Sequence, residues 1–150
     1  MFSQEMQKTV TELTAPTKGI LATDESSGTI EKRFKSVDAA STEENRRFYR
    51  ESLFTAPGLS DYISGVILFE ETLSQKSATG VPLPQVLADQ GIVPGIKVDK
   101  GTQALANFPG DKVTHGLQGL PDRLAGYKTL GARFAKWRAV IAIGDRKSVV

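Results

Sequence analysis

The sequence predicts an α/β protein in which parallel strands alternate with helices. Short, almost continuously apolar segments recur along the chain, as is typical of strands buried on both faces. Amphipathic segments with helix start and stop signals lie between them. Stretches that contain Gly and Pro separate the two kinds of segment at the spacing of β-α units, which indicates a parallel sheet.

The chain opens with a predicted helix and a predicted strand. Residues 2–14 carry apolar side chains at helical spacing and are followed by Pro16 and Gly19, so a short amphipathic helix is expected there. The compact apolar segment 19–24 (GILATD) then predicts the first strand. It leads into the small polar stretch ESSGT, which is either a phosphate-binding loop or, as we favour, a plain strand-to-helix turn.

A second helix and a second strand follow. Ser41-x-x-Glu44 has the pattern of a capping box, so a helix is expected to begin there and to end near Pro57. Residues 62–71 (YISGVILFEE) form an almost continuous apolar run and predict the second strand. The two acids that end this run are adjacent, and we therefore expect them to diverge in direction.

Two more strands complete the prediction. Residues 82–91 (PLPQVLADQG) are expected to form a short helix, and residues 92–101 (IVPGIKVDKG) the third strand. After a polar loop, residues 119–131 (GLPDRLAGYKTLG) have Pro near the start and Gly at the end, as helices do. Residues 132–144 (ARFAKWRAVIAIG) predict the fourth strand.

The composition limits the classes of function. Apolar residues make up 39% and charged residues 24% of the chain, as in ordinary globular proteins. There is no cysteine and one histidine, His115, so thiolate chemistry, a Ser-His-Asp triad and a histidine-based metal site are not expected. The 19 basic and 17 acidic residues leave a net charge of only +2, which gives no polycationic face for nucleic acid. With no secretory signal and no apolar run of about 18–20 residues, we expect a cytoplasmic protein with no metal, no cofactor, no nucleic-acid partner and no membrane contact.

Charged side chains fall inside or at the ends of the predicted strands. Asp24 ends the first strand, Lys97 and Asp99 share one face of the third, and Lys136 and Arg138 share one face of the fourth. If these strands are central, the charges approach one region from different strands. Unpaired buried ions are costly, so such groups pair, shift their pKa or do chemistry. On spacing alone, an active site and a buried ion network of Asp24, Lys97 and Lys136 without chemistry are equally favoured.

Two segments interleave basic and aromatic residues, EKRFK (31–35) and NRRFYR (45–50). Some RNA-binding proteins use such a pattern, so a nucleic-acid or cytoskeletal binder is kept as an alternative. Acidic residues dilute both segments, and a solvated helix face is the favoured interpretation.

Five segments together closely resemble class I fructose-1,6-bisphosphate aldolase: GILATDESSGTIEKR, TEENRRFYRE, SGVILFEETL, PGIKVDKG and GARFAKWRAV. They follow the family's order from near the N-terminus to about Gly144. The resemblance implies a (β/α)8 TIM barrel. It also implies a metal-independent lyase of glycolysis and gluconeogenesis that cleaves fructose 1,6-bisphosphate to dihydroxyacetone phosphate and glyceraldehyde 3-phosphate through a lysine Schiff base.

The resemblance also implies roles for individual residues. Asp24 matches the family's first-strand aspartate, which handles protons around the C–C cleavage. Lys97 and Lys136 match active-site lysines of the third and fourth strands. Lys136 is implied to support Schiff-base chemistry, and Lys97 to help hold the substrate and its phosphate. The residues implied to bind the substrate are Arg138, Ser26, Thr29, Arg33 and Arg46.

The resemblance covers only part of the family's barrel. A (β/α)8 barrel typically needs about 250 residues, and only the first four β/α units are expected here, in residues 1–144. The family's Schiff-base lysine lies on the sixth strand and its paired glutamates on the fifth, so this fragment is expected to be inactive alone. It is also expected to be poorly soluble, because an apolar sheet face and edge would be exposed.

Three further expectations concern the molecule as a whole. The alternative to an enzyme is a non-catalytic half barrel that binds a sugar phosphate. Residues 145–150 (DRKSVV) depart from the family pattern and are expected to be a non-native tail. By the resemblance, the full-length protein is expected to be a homotetramer.

Overall fold

A computed structural model describes residues 3–140 of the chain. The strands of this part are β1 Gly19–Thr23, β2 Ile63–Leu68, β3 Val93–Lys97, β4 Thr102–Ala104, β5 Lys112–Thr114 and β6 Phe134–Lys136. The helices are α1 Gln4–Leu13, α2 Ser27–Lys35, α3 Glu43–Phe54, α4 Leu59–Tyr62, α5 Glu70–Ser74, α6 Leu83–Ala88 and α7 Leu120–Thr129. Four strands pair in the order β1-β2-β3-β6, all parallel, and β4 and β5 form a separate antiparallel hairpin.

One face of the parallel sheet packs against helices and forms the hydrophobic core. Val66 and Leu68 of β2 and Ile96 of β3 are buried in it. Phe54 of α3 and Leu87 of α6 belong to the same buried cluster. Each side chain of this size contributes about 1.5–3 kcal/mol when it is removed from water. This face therefore stabilises the sheet and leaves the other face free to carry polar groups.

The opposite face carries glycines, an aromatic ring and the two lysines. Gly95 pairs in register with Phe134, and Lys97 pairs in register with Lys136. A Cβ atom added at Gly95 would lie 2.3 Å from the Phe134 ring, so only glycine lets the ring lie against β3. Because side chains alternate along a strand, the ring forms a layer immediately before the lysine pair.

Helix α1 packs at the amino ends of the strands. The Ser64 hydroxyl of β2 donates a hydrogen bond to the Leu13 carbonyl at 2.7 Å. Arg133, just before β6, donates to the Thr9 hydroxyl at 2.9 Å. The amphipathic helix predicted for residues 2–14 is confirmed over Gln4–Leu13.

The predicted parallel sheet is confirmed in outline, with differences in detail. A strand lies in each of the four predicted segments. The expected capping box is wrong, because α3 is capped by Thr42, whose hydroxyl accepts a hydrogen bond from the Asn45 N–H at 3.1 Å, and not by Ser41. The β4–β5 hairpin lies where a polar loop was expected. Residues 141–150, which include the end of the predicted fourth strand and the expected tail, lie outside the described residues.

Candidate active site

The carboxyl ends of the four parallel strands open into a cavity of about 590 Å³. Each strand or the segment that follows it contributes to the lining, among others Asp24, Phe69, Lys97 and Lys136. In parallel α/β folds, ligands bind at this end of the strands. The cavity collects charged side chains that are far apart in the sequence, as their positions in the strands predict.

Asp24 and Lys136 form an ion pair across the whole width of the sheet. The Lys136 ammonium donates to Asp24 Oδ2 at 2.6 Å, although β1 and β6 are the two edge strands of the four-stranded order. In a flat sheet these strands would lie about 14 Å apart, and both side chains would have to lie along the sheet to meet. The contact therefore shows that the sheet curls, with the lysine-bearing face concave. Asp24 is buried, whereas the Lys136 side chain keeps 30% of its surface exposed to the cavity.

Lys97 pairs with Asp99, not with Asp24. Its ammonium donates to Asp99 Oδ1 and to the Asp99 carbonyl, both at 2.8 Å. Burial would raise the pKa of the Asp99 carboxyl. The hydrogen bond and charge of Lys97, together with the N–H groups of Gly101 and Arg138, outweigh burial and lower this pKa. The expected network of Asp24, Lys97 and Lys136 thus divides into two ion pairs. Lys97 and Asp99 lie two residues apart and share one strand face, and this pattern in the sequence could have added Asp99 to the predicted site.

The turn between β1 and α2 contributes hydroxyl groups and a guanidinium. Ser26 Oγ and Thr29 Oγ1 lie 3.1 Å apart in the first turn of α2, and both residues line the cavity. Arg33 lines it one turn later and forms an ion pair with Glu25. Hydroxyls and a cation at the start of a helix suit an anionic group. The ESSGT segment joins β1 to α2 as a strand-to-helix turn, and the hydroxyls of Ser26 and Thr29 also face the cavity, so the phosphate-binding alternative stays open.

Glu70 and Lys100 form a further polar group at the cavity, and Lys100 was not singled out from the sequence. The Lys100 ammonium donates to Glu70 Oε2 at 2.6 Å, and the Tyr127 hydroxyl donates to Glu70 Oε1 at 2.8 Å. These two hydrogen bonds lower the pKa of Glu70. Glu70 faces the cavity while its neighbour Glu71 faces α3, so the expected divergence of the two acids is confirmed.

Arg46 lies apart from the other seven residues that the resemblance implies, all of which line the cavity. Its Nε and Nη2 donate to the Glu71 carboxylate at 2.9 and 2.5 Å, and its Nη1 donates to the Ser41 carbonyl at 2.6 Å. The hydrogen bond with Glu71 raises the pKa of Arg46 and lowers that of Glu71. A guanidinium occupied by these bonds stabilises the fold, and this arrangement does not support the expected phosphate contact.

The other arginines of the NRRFYR segment are also in ion pairs. Arg47 pairs with Glu44 and Glu51, and Arg50 with Glu71. Basic groups already neutralised within the fold do not support the nucleic-acid alternative. Among residues 3–140, no helix is long and apolar enough to cross a membrane. The same residues contain no group of three or more His, Cys, Asp or Glu side chains placed to hold a metal ion.

Comparison with known proteins identifies the family. The model of the class-I fructose-bisphosphate aldolase family matches residues 5–149. The chain belongs to the class-I fructose-bisphosphate aldolase family. A probable fructose-bisphosphate aldolase class 1 of Xanthomonas campestris pv. campestris is 60% identical over 145 residues, which cover 97% of this chain and 43% of that protein. The cytoplasmic aldolase isozyme of Spinacia oleracea is 54% identical over 143 residues, which cover 95% of this chain and 40% of that protein.

A solved aldolase structure shares the fold of this chain. It is a co-crystal structure of fructose-bisphosphate aldolase from Plasmodium falciparum in complex with TRAP and a small-molecule inhibitor. The match has a TM-score of 0.91 at 49% sequence identity, and it covers 94% of this chain and 41% of that chain. The described sheet and helices therefore correspond to part of an aldolase, and this chain spans less than half the length of these relatives.

Proposed function

We propose that this chain supplies the first four β/α units, in residues 1–144, of a class-I aldolase that cleaves fructose 1,6-bisphosphate to dihydroxyacetone phosphate and glyceraldehyde 3-phosphate. The observation that carries the proposal is the pairing of Lys136 with Asp24 across the concave face, with Lys97 directly opposite Lys136. The match to the aldolase family model over residues 5–149 supports the choice of reaction.

The cations at the cavity suit the two phosphates of the substrate. Lys97, Lys136, Arg138 and Arg33 all line it. The hydroxyls of the β1–α2 turn add neutral hydrogen-bond partners for phosphate oxygens. We assign Arg138, Arg33 and these hydroxyls to substrate binding.

We assign proton transfer to Asp24 and Lys136. In a Schiff-base cleavage the C4 hydroxyl loses its proton, the C3–C4 bond breaks, and the electron pair moves into the protonated imine. A carboxylate and an ammonium 2.6 Å apart can accept and return such a proton without a metal. The amine that forms the Schiff base is, by the resemblance, a lysine of the sixth strand, and neighbouring cations favour its neutral, nucleophilic form.

The test is the enzymatic activity of the natural gene product, expressed from the source gene through to its own stop codon. We expect that product to cleave fructose 1,6-bisphosphate in a coupled assay and to be trapped by borohydride with dihydroxyacetone phosphate. Lys136→Met and Asp24→Asn should each lower kcat about 100-fold or more, because each removes a proton-handling group. Lys128→Met is the matched control, since Lys128 pairs with Glu5 outside the cavity. A gene product that is folded but neither cleaves nor traps would refute the proposal.

A non-catalytic half barrel is the second candidate, and the cavity itself favours it. The four strands and the loops that follow them supply the cations and hydroxyls that line this cavity. These groups could bind an anion without further strands. Such a chain would bind a sugar phosphate without turning it over. Calorimetric titration of the 150-residue chain with fructose 1,6-bisphosphate tests this, with Lys136→Met as the variant expected to weaken binding. Binding by a gene product that ends at Val150 and shows no turnover would favour this candidate.

The remaining features of the protein are proposals that follow from the family. We propose a cytoplasmic location, since some relatives are named as cytoplasmic or cytosolic isozymes, and we expect a homotetramer. Sequencing the source gene through the codon of Gly144 tests the proposed non-native tail, residues 145–150. A genomic frame that continues into DRKSVV would overturn that part.

A further inference from the structure

Arg50 of α3 is a buried charged residue that has no role in the proposed mechanism. Its side chain has 0% exposure. Burying a guanidinium is costly unless its donors are satisfied. Burial lowers the pKa of Arg50, which shows that the surroundings oppose the charge. The hydrogen bonds that the buried guanidinium makes must therefore compensate for the cost of its burial.

The bonds of Arg50 go to the backbone on both sides of Asp24. Its Nη2 donates to the Glu25 carbonyl at 2.8 Å, and its Nε donates to the Thr23 carbonyl at 3.3 Å. These two carbonyls flank the residue that carries the carboxylate. A planar guanidinium can reach both at once, whereas an ammonium on a flexible stem holds one point.

Arg50 is itself held from two sides. Its Nη1 lies 3.4 Å from Glu71 Oε2, and Glu71 is fixed by the two hydrogen bonds from Arg46. The guanidinium carbon also lies 5.7 Å from the centre of the Phe69 ring, a cation–π distance. Phe69 follows β2, so Arg50 ties the loops after two neighbouring strands to α3.

We propose that Arg50 is a positioning residue that fixes the backbone around Asp24 and so holds the Asp24 carboxylate against Lys136. The proposal rests on the proposed function for its catalytic consequence, and on the contacts above for its structural part. It assigns the Arg46–Glu71–Arg50 chain of ion pairs to support of the active site and not to phosphate or nucleic acid.

The first experiment uses the natural gene product, which avoids the poor solubility expected of the 150-residue chain, and it needs no activity. Amide hydrogen exchange is measured by NMR for the wild type, Arg50→Lys and the control Arg47→Lys, whose parent side chain pairs with Glu44 and Glu51 of the same helix, away from the cavity. In Arg50→Lys we expect exchange at Thr29 and Ile30, whose N–H groups bond to the Ser26 carbonyl, to rise about tenfold. The Ile96 amide in β3 should not change. An equal rise at Ile96, or no rise at the turn, would overturn the proposal.

The second experiment measures kcat and KM of the natural gene product. Arg50→Lys should lower kcat about 10-fold to 100-fold with little change in KM, because misplacement of a reacting group affects the chemical step. Arg47→Lys should leave both unchanged. For Arg50→Ala, added guanidinium should restore activity where added ammonium does not. An active wild type with full activity in Arg50→Lys would overturn the proposal. An inactive wild type would instead overturn the proposed function, and hydrogen exchange alone would then decide the role of Arg50.

Discussion

Gly95 is the position where a single methyl group should do most damage to the lysine-bearing face. It lies two residues before Lys97 on the same side of β3 and pairs in register with Phe134. A Cβ at Gly95 would lie 2.3, 2.4 and 2.6 Å from three ring carbons of Phe134, distances that real Cβ atoms do not adopt. The variant Gly95→Ala must therefore displace the ring or separate β3 from β6.

Toward β2 the ring has little room to give way. It also approaches β2, where a Cβ at Gly65 would lie 3.3 Å from the Phe134 ring and 2.5 Å from Leu13 of α1. Overpacking of this kind costs about 1–3 kcal/mol, and the contacts on both sides place Gly95→Ala at about 2 kcal/mol. With a urea m-value of about 2 kcal/mol/M, the midpoint of unfolding should fall by about 1 M.

The assay is urea unfolding of the 150-residue chain, followed by the fluorescence of Trp137 at low micromolar concentration because the chain is expected to be poorly soluble. Gly28→Ala is the matched control, because a Cβ there has nothing within 4 Å, and its midpoint should not fall. In the Phe134→Leu background, which lacks the three ring carbons, Gly95→Ala should cost much less. An unchanged midpoint for Gly95→Ala, or the same loss in both backgrounds, would refute this account of the contact.

Two further predictions concern stability and α3. The pKa of Glu71 is lowered by its hydrogen bond from Arg46, so its contribution to stability is present above its ordinary value of 4.5 and is lost as the pH falls through the folded value. Glu71→Gln should accordingly be less stable than the wild type at pH 7, and thermal melts should show the difference shrinking below about pH 4.5; a difference that does not depend on pH would contradict this. Thr42→Ala should cost about 1 kcal/mol in chemical unfolding because the Asn45 N–H loses its cap, and Ser41→Ala should cost clearly less; equal costs would restore the capping box that the sequence predicts.

The sequence was sufficient to predict the strands of the parallel sheet. The strands β2 and β3 are apolar runs bounded by Gly, Pro or polar residues and are largely buried, as the pattern predicts, whereas β1 and β6 are more exposed. The β4–β5 hairpin was not predictable in this way. Its strands Thr102–Ala104 and Lys112–Thr114 are short and mostly exposed, so neither carries an apolar face. Their pairing depends on the loop that joins them and not on burial.

Side-chain pairing within the site was only half predictable. Alternation along the strands correctly brings Asp24, Lys97 and Lys136 to one end of the sheet. It does not tell which carboxylate each lysine meets, because that depends on sheet curvature and on the path of the chain after β3. The turn after β3 brings the Asp99 carboxylate back to Lys97, two residues earlier in the chain. The curl of the sheet brings Asp24 at one edge into contact with Lys136 at the other edge.

Burial separates the two interpretations that the spacing of these charges left equal. A buried ion network without chemistry would sequester both partners of each pair from water. Here each carboxylate is buried while the ammonium remains partly exposed: the Lys97 side chain is 16% exposed against 1% for Asp99, and Lys136 is 30% exposed against 11% for Asp24. The negative charges are thus fixed in the wall of the cavity and the positive charges face its open space. A site in which anions anchor and cations are presented is arranged to receive an anionic ligand, and that asymmetry favours a ligand site over a purely structural network.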